Sequence, residues 1–231
     1  MASTPPTEEA FLREVDDELR REQIQTMWKH YGKLALVAVL VGLAAFAAFL
    51  FWRAEATKKQ EAQGEQLSSA IADIQAGRKT EAGKKVDALI ADGGKGYRIA
   101  ALFTKAALAA EGGKAKDAAA IYAGIAGDAD APQPYRDLAL IRQTLIEYDS
   151  LKPQQVIDRM KPLAVEGGAF FGTAGELMAM ALLQTNRSAE AGRLLAAIAH
   201  DGRTPSTLRA RAGRLATSLG ADVAATPADK D

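Results

Sequence analysis

Residues 77–82 read GRKTEA, and the same arrangement returns as GKAKDA at residues 113–118 and as NRSAEA at residues 186–191. Each copy has a Gly or Asn, a cation, two variable residues, an acid and an Ala. A degenerate copy, LKPQQV, occupies residues 151–156. The last residues of the four copies are 36, 38 and 35 positions apart. This period is close to the ~34 residues of repeats that are built from two antiparallel helices, so it predicts a stack of helical hairpins.

Each part of the repeated pattern has a physical role in such a hairpin. Gly77, Gly113 and Asn186 can adopt the left-handed conformation that ends a first helix. The acid then falls in the opening turn of the second helix, where the helix dipole favours negative charge. The Ala leaves room for two helix axes to approach to ~8 Å. The predicted packing positions are Ala82, Ala118 and Ala191 on the second helices and Ala70, Ala106 and Ala179 twelve residues earlier on the first helices.

Breaks between the helices agree with this period. Pro132 and Pro205 each lie fourteen residues after a packing Ala, and Gly-Gly pairs at 93–94 and 167–168 take similar places in the other units. Residues 206–219 form a polar closing helix that can act as a cap. In the third unit, Thr144 and Val156 replace the two packing Ala residues, so wider packing is expected there.

The chain is therefore expected to be all-α, with an α-solenoid of about four tetratricopeptide-like helix pairs plus a capping helix over residues 53–219. This region is rich in Ala, Leu, Glu, Lys and Arg and poor in aromatic residues, as helical repeats are. Residues 220–231 are predicted to be a disordered tail, because they are polar and contain Pro227.

Residues 34–52 (LALVAVLVGLAAFAAFLFW) contain no charge and lie between Lys33 and Arg53. As a helix they are ~28 Å long, close to the ~30 Å hydrocarbon core of a bilayer, so they predict a transmembrane helix. A buried core helix of this kind would need a larger protein around it. A cleaved signal peptide is the other alternative, since residues 54–56 read AEA. However, the apolar stretch exceeds the usual ~7–15 residues and the acidic segment before it is long, so we expect an uncleaved anchor.

The distribution of Lys and Arg predicts the orientation of the anchor. Residues 1–33 carry five of these cations, and the twenty residues from 53 to 72 carry three. The N-terminal segment, residues 1–33, is therefore expected to be cytoplasmic, with the long C-terminal region exported. Its apolar residues recur four apart between residues 8 and 31, which predicts an amphipathic helix suited to a protein contact. The chain has no Cys, which excludes disulfides, lipidated Cys and thiolate metal sites.

Composition and motifs argue against several classes of function. Residues 54–231 carry 23 Lys or Arg against 22 Asp or Glu, so no strong field attracts nucleic acid. The two histidines, His30 and His200, lie at predicted helix boundaries, far apart in the sequence. No phosphate-loop, metal or catalytic pattern is present, and we expect neither an enzyme nor a cofactor or small-molecule substrate.

Protein partners are the remaining expectation. The first helices of stacked hairpins usually line a concave binding face, and aromatic residues gather near the starts of these helices. For each aromatic residue, packing between the hairpins is the alternative role. Within the span, Ala38 and Gly42 form a small-xxx-small ridge that would let another membrane helix approach. The candidate partner-binding residues are Tyr97, Arg98, Phe103, Tyr135, Arg142, Phe170 and Phe171.

The N-terminal stretch FLREVDDELRRE (residues 11–22), the span and residues 60–90 together resemble the ancillary SecYEG translocon subunit family. That resemblance implies a single-pass protein of the bacterial inner (plasma) membrane, with a cytoplasmic N-terminus and a periplasmic tetratricopeptide-like domain. It also implies association with translocon subunits and periplasmic chaperones, in support of secreted or envelope proteins, and it supplies no catalytic residues. A scaffold for cell-envelope assembly or cell division, using the same concave face, is the alternative function. An enzyme would instead require a deep polar pocket with strongly shifted titratable groups.

Overall fold

The computed structural model describes the backbone of residues 6–221 and the side chains of residues 29, 32–34 and 36–221. Within that range the chain forms nine helices and no strand, so the predicted all-α class is confirmed. Most of the predicted tail and the side chains of the predicted amphipathic segment lie outside the described residues. The helices are α1 (Pro6–Gln75), α2 (Lys79–Asp92), α3 (Lys95–Glu111), α4 (Ala115–Gly127), α5 (Gln133–Glu147), α6 (Pro153–Met160), α7 (Phe171–Gln184), α8 (Ser188–His200) and α9 (Ser206–Ser218).

The chain divides into two compact units, Met1–Glu61 and Ala62–Asp231. The second unit contains the helical hairpins and begins with the last fourteen residues of α1. This end of α1 packs on α2, as Ala70, Val86 and Leu89 share one core cluster. From α2 to α9, each helix contacts the next one along the chain. The second unit is therefore a stack of four hairpins closed by α9.

The local geometry of the repeats agrees with the sequence pattern. Gly77, Gly113 and Asn186 have φ angles of 77°, 76° and 58°, which is the left-handed conformation expected at the ends of the first helices. The amide of Arg78 donates to the carbonyl of Asp73 over 2.8 Å, which ties the turn to the helix before it. The side chains of Ala70, Ala82, Ala106, Ala118, Ala179 and Ala191 are all 0% exposed.

The third hairpin differs from the others. Its second helix, α6, has eight residues and ends at Met160, whereas the sequence pattern placed the break at residues 167–168. Pro162 explains the difference. It has no N–H to continue the helical hydrogen bonds, although Lys161 before it still has helical φ and ψ angles of −49° and −44°. Thr144 is fully buried, and its hydroxyl donates to the carbonyl of Leu140 over 2.8 Å. Contacts between α5 and α6 are sparse, in agreement with the wider packing that was expected here.

The predicted span lies inside α1. The large apolar side chains between Leu34 and Trp52 are exposed, with 59% of Phe46 and 71% of Trp52 accessible. A core helix would bury such side chains, and none of the apolar window of α1 is buried. Within the described residues, α1 is the one helix long and apolar enough to cross a membrane.

Candidate protein-interaction surface

The first helices of the hairpins lie closer together than the second helices. α3 contacts α5, α5 contacts α7 and α7 contacts α9. No such contact joins α2 to α4, α4 to α6 or α6 to α8 in this described part of the second unit. The stack therefore curves toward its first helices, as helical-repeat arrays do. We use "inner face" for the exposed side of residues 62–75 of α1 and of α3, α5 and α7.

Three of the predicted aromatic residues occupy equivalent positions in the repeats. Tyr97, Tyr135 and Phe170 each lie 21 residues before the last residue of their repeat pattern. Tyr97 packs against the first core cluster, and Phe170 packs against the large C-terminal cluster. Between them, the ring centroid of Phe103 lies 6.4 Å from that of Tyr135 and 5.6 Å from that of Tyr122. Of these ring contacts, the one between Phe103 and Tyr135 lies between the successive first helices α3 and α5.

The predicted partner-binding residues differ in accessibility. Tyr135 is 45% exposed, whereas Phe171 is 1% exposed and belongs to the core, which favours the packing role for Phe171. Arg98 and Arg142 are exposed, and neither forms an ion pair with any residue that the structure describes. The remaining three residues are half-buried: Tyr97, Phe103 and Phe170.

Charges on the inner face are unevenly neutralised. Glu176 on α7 binds Arg211 on α9, with 2.5 Å between Oε1 and Nε, and this contact raises the pKa of Arg211. Glu111 at the end of α3 lies 3.1 Å from Lys79. In contrast, Arg142 forms no ion pair with a described residue. Burial raises the pKa of Tyr122, and the charge of Arg142 partly offsets this shift. Among the residues that the structure describes, the centre of the face therefore carries an unpaired cation.

An exposed row of apolar residues was not predicted from the sequence. Ile71 is 44% exposed and Leu145 is 52% exposed, and each directly follows the buried packing residue of its first helix. Ala107, which is exposed, and Met180, which is half-buried, hold the same position in the other two first helices. One residue further along a helix is ~100° further around it, so this position points away from the second helix. We call Ile71, Ala107, Leu145 and Met180 the apolar row.

Two grooves between neighbouring helices show no sign of a binding site. A groove of about 530 Å³ lies between α4 and α5, and one of about 420 Å³ is lined by α2, α3 and α4. Their main charges are already paired: Glu147 binds Arg159 over 2.6 Å and Lys105 binds Asp87 over 2.8 Å. Among the residues searched in the described chain, no group of three His, Cys, Asp or Glu side chains could hold a metal ion.

Comparison with known proteins gives the family. A family model described as a tetratricopeptide repeat-like domain matches residues 25–202. The chain belongs to this family. No curated protein and no solved structure matches the chain.

Membership of the tetratricopeptide repeat-like family agrees with the four hairpins and with the predicted repeat period. Domains of this kind generally mediate protein–protein interactions and are typically non-enzymatic scaffolds. The inner face of the stack is therefore the first candidate for a binding surface, and it combines exposed apolar side chains with the unpaired Arg142.

Proposed function

We propose that this protein is a membrane-anchored interaction module at the protein-export translocon of the bacterial inner membrane. Its repeat domain lies in the periplasm and works with translocon subunits and periplasmic chaperones to assist secreted or envelope proteins. The observation that carries the proposal is the inner face, where Tyr135, Leu145 and Arg142 are accessible together on α5. The resemblance of residues 11–22 to the ancillary translocon subunits supports the choice of partner.

The apolar helix provides the anchor in this proposal. Its described side chains, those of residues 34 and 36–52, are exposed, and cations are more frequent on its N-terminal side. A Cβ built at Gly42 would have no neighbouring atom within 4 Å, so the ridge of Ala38 and Gly42 is open to another helix. We propose that a transmembrane helix of the translocon packs on this ridge.

Partner binding on the repeat domain would use the accessible members of the predicted set. Tyr135 and Phe103 offer rigid apolar area, and Arg142 can pair with an acid. Arg98, which is exposed at the start of α3, is a further cation that could pair with an acid of a partner. Tyr97 and Phe170 contribute by holding successive first helices in place, as their packing on the core clusters indicates.

Photocrosslinking in cells tests this function. A photoreactive amino acid is placed at Tyr135 or Leu145 on the inner face, and at Ala120, an exposed residue of the second helix α4, as the control. Mass spectrometry of the adducts should find translocon subunits and periplasmic chaperones enriched at the two inner positions. Dominant adducts with wall-synthesis or division proteins would favour the envelope scaffold instead. Equal adducts at all three positions would contradict partner binding on the inner face.

A further inference from the structure

Small residues line the α3 part of the inner face. Ala100, Ala107 and Ala110 lie on one side of this helix, since residues seven and ten apart fall within ~80° of each other. The larger Ile71 and Leu145 belong to the first helices on either side. Small residues let another helix approach to ~8 Å. The α3 part of the face is therefore lined by Ala, with larger apolar residues on α1 and α5.

Several polar side chains of this face are already engaged within the protein and do not bind the backbone of an extended peptide. The hydroxyl of Thr104 already donates to the carbonyl of Ala100 over 2.9 Å. Glu111 and Glu176 are held by ion pairs with Lys79 and Arg211. An extended segment buried here would leave its N–H and C=O groups without partners, which costs free energy. An α-helix satisfies these groups itself and needs only an apolar side.

The charge of the face selects the partner further. Arg142 lies three residues before Leu145 in α5, so the cation lies beside this member of the apolar row. Asp149 is about 10 Å further along and lies beyond the end of α5. An acid on the binding helix would therefore meet an unpaired guanidinium beside the apolar row, whereas a cation there would be repelled.

We propose that the inner face binds an amphipathic α-helix of another protein, with large apolar side chains seven residues apart and a carboxylate placed at Arg142. This inference rests on the proposed role of the inner face in partner binding. The ~10.5 Å between helix residues seven apart matches the 8–10 Å between packed helix axes, so one partner helix can cross successive members of the apolar row.

The ends of the stack indicate that the binding partner is a different protein and not another copy of this chain. Exposed residues of α9 include Arg214 and Thr217. At the other end, Glu65, Ser68 and Gln75 are exposed on α1. Such polar ends act as caps and disfavour end-to-end stacking.

Three synthetic peptides test the inference on the full chain in neutral-lipid nanodiscs, with empty nanodiscs as the blank. The first is an 18-residue helix with Leu on one side and Glu along its flank. The second replaces Glu with Lys, and the third has a central Pro. In fluorescence anisotropy the acidic helix should bind at least about tenfold more tightly than either other peptide.

Variants then locate the binding surface. Leu145→Ser should weaken binding of the acidic helix about tenfold, and Arg142→Glu should reverse the preference between the Glu and Lys peptides. Val165→Ser is the matched control, because Val165 is 56% exposed but follows α6 outside the inner face. This control should bind like the unmodified chain.

Each other outcome has a defined meaning. If the Pro peptide bound as tightly as the acidic helix, the occupant would be an extended segment, and the inference would be overturned. So would equal binding of the Lys peptide to the unmodified chain and to Arg142→Glu. Sedimentation that shows dimers lost in Leu145→Ser would identify a second copy as the occupant and overturn it as well. If the cellular crosslinks at Leu145 persist while no peptide is preferred, this inference fails and the proposed function does not.

Discussion

Single small residues set the separation of helices in this stack. Ala118 has 0% exposure on α4 and lies where this helix packs against its neighbours. Its position could be predicted because the pattern repeats at a fixed interval and only a small side chain permits close approach. The buried Phe171 shows the opposite case, because spacing alone did not indicate which of two adjacent aromatic residues enters the core.

The packing role of Ala118 predicts the effect of enlarging it. Ala118→Leu should destabilise the repeat domain by about 1–3 kcal/mol, because the added methylenes have no space. Ala120→Leu on the same helix is exposed and should change stability by less than about 0.5 kcal/mol. Urea unfolding followed by circular dichroism measures both. Equal losses in the two variants would show that helix propensity, and not close packing, explains the Ala residues.

Asp73 links stability to pH. Its Oδ2 accepts a hydrogen bond from Lys85 over 2.6 Å, and its Oδ1 accepts one from Arg78 at the same distance. These hydrogen bonds, from Lys85 first and Arg78 second, lower the pKa of Asp73. A lowered folded-state pKa contributes stability above the unfolded value of about 3.9, and this contribution is lost as the pH falls through the folded-state pKa.

Asp73→Asn should therefore lower the Tm at pH 7, with a difference from the unmodified chain that shrinks as the pH falls below about 4. Thermal unfolding between pH 7 and pH 3 measures this difference. Asp87→Asn is the matched control, since Asp87 pairs with Lys105 on an exposed surface, outside the first turn of α2, and should contribute little. A Tm difference for Asp73→Asn that does not depend on pH would contradict the ionic role of Asp73.

At the scale of elements, the sequence predicted where hairpins occur better than how long each helix is. The four hairpins and α9 follow from the repeat period. The early end of α6 does not follow from the repeat period, because the degenerate third repeat has neither packing Ala. Pro162, which precedes the Gly-Gly pair at residues 167–168, ends this helix early. The apolar row also could not be recognised before the packing side of each first helix was known, since Ile71 and Leu145 look like core residues in the sequence.

Packing of α7 against the segment that leads into α9 gives a prediction about two glycines. A Cβ at Gly172 would lie 2.6 Å from Oγ1 and 2.7 Å from Cγ2 of Thr204, a buried residue whose hydroxyl is bonded to Asp201. Gly172→Ala should therefore destabilise the protein by at least about 1 kcal/mol. Gly124→Ala, in the interior of α4 with no atom within 4 Å, should stabilise it by about 0.5–1 kcal/mol. Chemical unfolding of both variants checks the opposite signs.

For the whole molecule, the absence of Cys allows a direct test of orientation. Single variants Ser3→Cys and Ser218→Cys place one thiol before the span and one at the end of the repeat domain. In intact cells a membrane-impermeant maleimide should label Ser218→Cys and leave Ser3→Cys unlabelled until the membrane is opened. If Ser3→Cys were labelled and Ser218→Cys were not, the repeat domain would lie in the cytoplasm. A shortened product that has lost the Ser3→Cys site would instead indicate a cleaved leader.

The sparse contact between α5 and α6 bears on how the stack yields under strain. In repeat arrays the total stability is approximately the sum of each repeat and its interfaces with its neighbours, so cooperativity is weakest at the poorest interface. Ile141 and the pair of Glu147 with Arg159 are among the few links that cross this joint. We therefore expect a force applied between the two ends of the array to open this interface first, while the hairpins on either side remain folded.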